Sequence, residues 1–108
     1  MICPGTKENI MNEISKNAFE RHQKIVSEVA SAIVGTPRQR GKFHTVTAEC
    51  SPWWVACEVA KHMGPPVWRR GDHEFGYQFS CCFEWEPDFA IQVLPLSHTD
   101  RRWRFCFG

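Results

Sequence analysis

Phe75-Gly76-Tyr77-Gln78-Phe79-Ser80-Cys81-Cys82-Phe83-Glu84-Trp85 is the stretch that decides the fold. Every odd-numbered position carries an aromatic ring or a thiol, and the even-numbered ones are mainly small or polar. A period of two predicts a strand with one buried and one solvated face. Phe89, Ile91 and Val93 continue the alternation after Pro87-Asp88, and Trp103, Phe105 and Phe107 resume it after Ser97-His98-Thr99-Asp100. Both interruptions are turn chemistry, so the last third predicts a three-strand antiparallel meander. A loop at 86–88 pairs Phe83 with Ile91 and Cys81 with Val93. A loop at 96–100 pairs Val93 with Trp103 and Ile91 with Phe105. These registers gather the rings on one face, whereas a one-residue slip scatters them. Gln78, Ser80, Cys82, Glu84, Gln92, Arg102 and Arg104 then share the opposite face.

Upstream the period changes. Ile10, Ile14, Ala18, Phe19, Ile25, Val26, Val29, Ala30 and Ile33 recur at three- and four-residue spacing, with Asn9, Glu13, Lys16, Glu20, Lys24, Ser27 and Ser31 between them. This predicts a helix from Thr6 to Val34, with Thr6 as N-cap and Gly35 and Pro37 as the stop signal. Such a helix would be about 42 Å long, whereas a compact chain of this length is about 34 Å across. The expectation is a break around Ser15 to Asn17; the alternative is an end that overhangs the domain.

Thr36 to Lys42 is a basic loop, and Phe43 to Ala48 reads as a strand rich in β-branched residues. Pro52 to Met63 reads as a second helix, with Ser51 as N-cap, Pro52 at the first helical position and Gly64-Pro65-Pro66 at its end. On it, Trp53, Ala56, Cys57, Ala60 and Met63 are expected to be buried, with Trp54, Glu58, Lys61 and His62 opposite. Val67 to Arg70 is a further short strand. The chain is thus expected to be one α+β domain over residues 1–108, its helices packed on one face of a curved, mainly antiparallel sheet of four or five strands. This element order is similar to the cone-shaped architecture of the nuclear transport factor 2-like superfamily, in which a curved sheet wraps helices around a pocket. A resemblance of element order implies an architecture and no particular activity.

Composition narrows the classes of function. The chain has 108 residues, 13 Lys+Arg and 12 Asp+Glu, a formal charge of +1. That balance gives no general electrostatic reason to expect a nucleic-acid partner. No apolar run approaches the length that spans a bilayer, so no membrane partner is expected. Met1 to Glu8 shows neither the basic nor the apolar region of a signal peptide. A cytoplasmic location with six reduced cysteines follows as the expectation. Five Trp and eight Phe point to a core of large rings.

Few residues suggest chemistry. His22 lies within the apolar stripe of the first helix, where a half-polar ring needs a partner. It is either a core histidine satisfied by a backbone carbonyl or Tyr77, or a pocket acid or base. Cys50 precedes the second helix, whose dipole favours a thiolate, but no histidine spacing supplies a base. Cys81 and Cys82 point to opposite faces, and no C-x-x-C or H-x-x-x-H pair occurs, so neither a metal nor a cofactor is expected. Trp54 on a polar helix face either covers a loop of its own chain or anchors a partner. Arg38, Arg40, Lys42, Arg69, Arg70, Arg101, Arg102 and Arg104, with Trp68 and Trp103 among them, are read as solvated or edge-guarding charges.

The expected function is a non-catalytic binding domain with a small apolar pocket between helices and sheet, lined by His22, Tyr77, Trp85 and Trp103. It is also expected to self-associate as a homodimer, with Trp54, Glu58, His62, Arg102 and Arg104 at the partner surface. Two alternatives stand beside it. One is a small pocket enzyme using His22 or His73 with Tyr77. The other is a protein-interaction module of the inhibitor or immunity type.

Overall fold

A computed structural model of the chain describes residues 6–39 and 41–108, with side chains described from residue 16 onward, residue 40 excepted. The sequence readings for the side chains of Thr6, Asn9, Ile10, Glu13, Ile14 and Arg40, and for Cys3, fall outside these. Two helices, α1 (Thr6–Gly35) and α2 (Pro52–Met63), pack on five strands: β1 (His44–Ala48), β2 (Pro66–His73), β3 (Gly76–Phe83), β4 (Glu86–Pro95) and β5 (Trp103–Phe107). The strands form one antiparallel sheet in the order β1-β5-β4-β3-β2. The sheet is open rather than closed into a barrel. This is the α+β architecture that the two periodicities predict. Among the described residues no helix is long and apolar enough to cross a membrane.

The break expected near Ser15 to Asn17 does not occur: α1 runs unbroken for 30 residues. The reason is local. No Gly or Pro occurs between Thr6 and Val34, and the modest propensity cost of Ser and Asn is smaller than that of nucleating a second helix. Among the described side chains of α1, the buried ones are Val26, Val29, Ala30 and Ile33. The molecule is therefore elongated, 57 × 32 × 20 Å, and its radius of gyration of 16.8 Å exceeds the roughly 13 Å of a compact chain this long.

The strand faces follow the predicted parity, but both registers are displaced by two residues. Cys81 pairs with Ile91 and Phe79 with Val93, while Val93 pairs with Phe105 and Ile91 with Phe107. The expected turn at Pro87-Asp88 is instead the start of β4; the chain reverses at Glu84-Trp85, with a register shift between Cys82 and Phe83. A bulge tightens the twist and leaves Pro87, which has no N–H to donate, near the strand's end where none is needed. A shift of two keeps every side chain on its own face, so the core survives the error in pairing.

That core is Cys81, Phe83, Phe89, Ile91, Val93, Phe105 and Phe107 from the sheet, with Val55, Ala56, Val59 and Met63 from α2 and the α1 stripe. The large core rings are phenylalanines; every Trp stays at least partly exposed. An indole N–H needs a hydrogen-bond partner when buried, and a phenyl ring does not. The same physics corrects the buried face of α2. Pro52, Val55, Ala56, Val59 and Met63 face the sheet, and the expected Trp53 and Cys57 lie outward, both exposed.

β1 and β2 occupy opposite edges, and α2, which links them in the chain, lies against β2 and β3. At its far end Gly64 has φ +91°, and the Trp85 ring lies where a Cβ on Gly64 would stand, 2.6 Å from that point. The Trp85 N–H donates to the Met63 carbonyl at 2.9 Å and the Glu84 N–H to the Pro65 carbonyl at 3.1 Å. The β3–β4 turn is thereby fastened to the C-terminus of α2.

Phe83 is 2% exposed at the centre of the covered face. Phe83→Ala is expected to cost about 3–5 kcal/mol in denaturant unfolding. Glu84→Ala, exposed in the adjoining turn, is expected to change stability by less than about 1 kcal/mol. Equal losses would contradict the assignment of faces.

Candidate functional site

The covered face is not covered to its end. Along β2, Trp68 stands opposite Cys81 and Arg70 opposite Phe79, so Trp68 and Arg70 point to the helix side. There the outward flank of α2 presents Trp53 and Cys57. Trp53, Cys57, Trp68, Arg69, Arg70 and Phe79 line an open groove of about 420 Å³. Its walls are a connected set of rings: Trp53 lies 4.6 Å from Trp68 and 4.8 Å, edge-on, from Phe79. Trp53 remains 47% exposed. Arg70 lies over the Tyr77 ring at 4.7 Å, and Trp103 meets Phe79 at 5.9 Å.

Of the four residues expected to line a pocket, the structure thus brings Tyr77 and Trp103 to the border of this groove. His22 and Trp85 are elsewhere. Trp85 covers Gly64 and is 65% exposed. His22 sits between α1 and the start of α2, where its Nε2 accepts the Ser51 N–H at 2.9 Å. Its ring meets Trp54 at 5.0 Å, and Phe19 meets the same indole at 5.4 Å. The partner of His22 is therefore a backbone amide, neither of the two considered from the sequence. An accepting Nε2 places the proton of the neutral ring on Nδ1. Ser51 makes no side-chain cap bond, so His22 fastens the N-terminal end of α2.

Other candidates are likewise engaged. His73 Nδ1 accepts the Phe75 N–H at 3.0 Å within the β2–β3 turn. Burial pushes the Cys50 thiol up to about 11, which keeps it protonated despite the helix dipole. Burial, then the neighbouring Cys82, pushes Cys81 up to about 12. Neither is a nucleophile at neutral pH. Among the described residues no three His, Cys, Asp or Glu side chains group to hold a metal ion.

The five residues expected at a partner surface do not share one. Trp54 packs on α1. Glu58 accepts from Lys61 through both carboxylate oxygens at 3.1 Å, and with His62 it borders a hollow of about 340 Å³ between α1 and α2. Arg102 is held by Asp100 through Nε at 3.1 Å and Nη2 at 2.8 Å, hydrogen bonds that bring the Asp100 carboxyl down to about 2. Arg104, opposite Thr47 and Leu94, lies on the face of the sheet away from both helices.

The sequence reading missed the Trp53–Trp68–Phe79 cluster as a site. A signal was present in Trp68-Arg69-Arg70, an indole beside two cations in a short strand, and in the Trp53-Trp54 pair, only one of which a helix can bury. No protein-family model, curated protein or solved structure compared with the chain matches it.

His22→Ala is expected to destabilise the fold by about 1–2 kcal/mol through loss of the acceptor at the helix start. His22→Gln, which restores an acceptor, should recover part of that loss in denaturant titration. Identical losses in both variants would mean that the hydrogen bond contributes nothing.

Proposed function

We propose that this chain is a non-catalytic binding domain whose site is the groove between α2 and β2–β3, and that it takes an apolar, ring-shaped group. The observation that carries this reading is the half-exposed Trp53 facing Trp68 and Phe79 around about 420 Å³. Water is held against three rings there, and each 100 Å² of apolar surface covered by a ligand contributes about 2.5 kcal/mol. The rings give breadth, and Arg69 and Arg70 give polarity at one end. The enzyme alternative has less support. One ring nitrogen each of His22 and His73 already accepts a backbone N–H, and no hydrogen bond joins either ring to Tyr77 among the described residues.

A second reading, self-association, is favoured by the unbroken α1. Residues 16–21 of this helix are all exposed, Phe19 at 53%, and Trp54 against Phe19 is 39% exposed. Most helical stability in proteins comes from packing of an apolar face, and a second copy packed on Phe19 and Trp54 would supply such packing.

With 1-naphthol as the probe, titration followed by NMR is expected to move the indole N–H signals of Trp53 and Trp68 in a saturable way. Trp53→Ala should weaken binding at least about tenfold, the effect of one good aromatic contact. Shifts confined to Trp54 or Trp85 would refute the groove. Sedimentation at micromolar concentration is expected to show a dimer that Phe19→Glu dissociates, since a stable interface buries at least about 1,000 Å². A 12.5 kDa monomer throughout that range would end the self-association reading.

A further inference from the structure

We infer that the occupant of the groove is an extended peptide segment that adds to the open edge of β2, with an apolar side chain opposite Trp68 and acidic side chains opposite Arg69 and Arg70. This deepens the binding reading above and rests on it. The first observation is topological. β2 is eight residues long and pairs only with β3, so one side of its backbone presents free donors and acceptors. The other edge, β1, is five residues long, and the hollow at its start has one ring, Phe43, among its lining residues. At β2 the open edge and the groove coincide, because the flank of α2 bearing Trp53 and Cys57 overhangs the same strand.

The second observation is charge. Among the described residues Arg38 pairs with Glu86 and Arg102 with Asp100, while Arg69 and Arg70 form no ion pair. Arginines on an edge strand also guard against aggregation. Guarding explains the charges but not the partly exposed indoles beside them. A pair of cations beside an aromatic slot repels a basic strand and favours an acidic one over a neutral one, which is how an edge becomes selective.

Strand geometry then dictates the pattern. Directly opposed residues share a face, and Trp68, Arg70 and Asp72 share the helix side, with Arg69 on the other. An antiparallel partner, the stronger pairing, reads from its N-terminus a basic residue opposite Asp72, any residue opposite Gly71, two acidic residues opposite Arg70 and Arg69, and an apolar ring opposite Trp68. Main-chain bonds supply affinity, and the alternate side chains supply specificity.

The probe is the blocked hexapeptide Lys-Thr-Glu-Glu-Phe-Val, titrated into the full chain by NMR. The expected result is saturable binding that shifts the β2 amides together with the Trp53 and Trp68 indoles. Changing both Glu of the peptide to Lys should weaken it at least tenfold. Arg70→Glu should reverse that preference while its spectrum otherwise stays native. N-methylation of the peptide amides that face β2 should abolish binding, and N-methylation in the opposite phase should not. Equal binding of both methylated peptides, or an unchanged preference in Arg70→Glu, would overturn strand addition. If 1-naphthol binds and the peptide does not, this inference fails and the groove reading stands. If neither binds, both fail.

Discussion

An apolar sheet face five strands wide has to be kept from water, and two helices provide most of its cover among the described residues. Each helix with its side chains is about 10 Å across, so a side-by-side pair covers about the width of the sheet, with nothing to spare. α1 lies against β1 and α2 against β2 and β3, and the burial between them reaches completion at Phe83, Phe89 and Phe105. What is left over is the outer end of β2 and β3, where Trp68 and Phe79 are covered only partly by Trp53. The groove is the remainder of an incomplete cover, and it is aromatic because the alternation that builds the core does not stop where the helices do.

Placement of α2 is set from both ends by residues distant in sequence. His22 receives the Ser51 amide at the start, and Trp85 closes over Gly64 at the finish. Neither fastening is made by the residues that local capping chemistry would select; Ser51 Oγ is not used. A helix held this way cannot rotate to bury Trp53 without breaking one of the two fastenings. Two residues that looked like chemistry in the sequence are thereby explained as positioning groups, and the exposure of Trp53 becomes a consequence of them.

Much of the architecture was legible because the periods of two and of about three and a half do not overlap in this chain. Parity could be read from Phe75 to Trp85, and it held, since parity depends on alternation alone. Register could not be read, because the bulge after Cys82 and the inclusion of Pro87 in β4 are decided by how the turn fits α2. Trp53 and Trp54 show the same limit. Both are large and adjacent, and the spacing of Val55, Val59 and Met63 outweighs ring size in choosing the buried face. His22 was marked as needing a partner, correctly; that the partner is an amide 29 residues away follows only from the packing of α1 on α2.

The connection through α2 also fixes how costly each strand is to place. β2, β3 and β4 are joined by short turns, so their pairing closes small loops. β1 pairs with β5, joining Ala48 to Trp103 and His44 to Phe107, residues about sixty apart. Closing a loop of that size costs about 2 kcal/mol more in chain entropy than closing a tight turn, and β1 has only five residues to recover it. The meander can assemble from near neighbours, whereas β1 joins it only through the long-range pairing with β5. One edge of the sheet is thus cheap to form and the other is a late, long-range addition, so the two edges differ in durability as well as in surface.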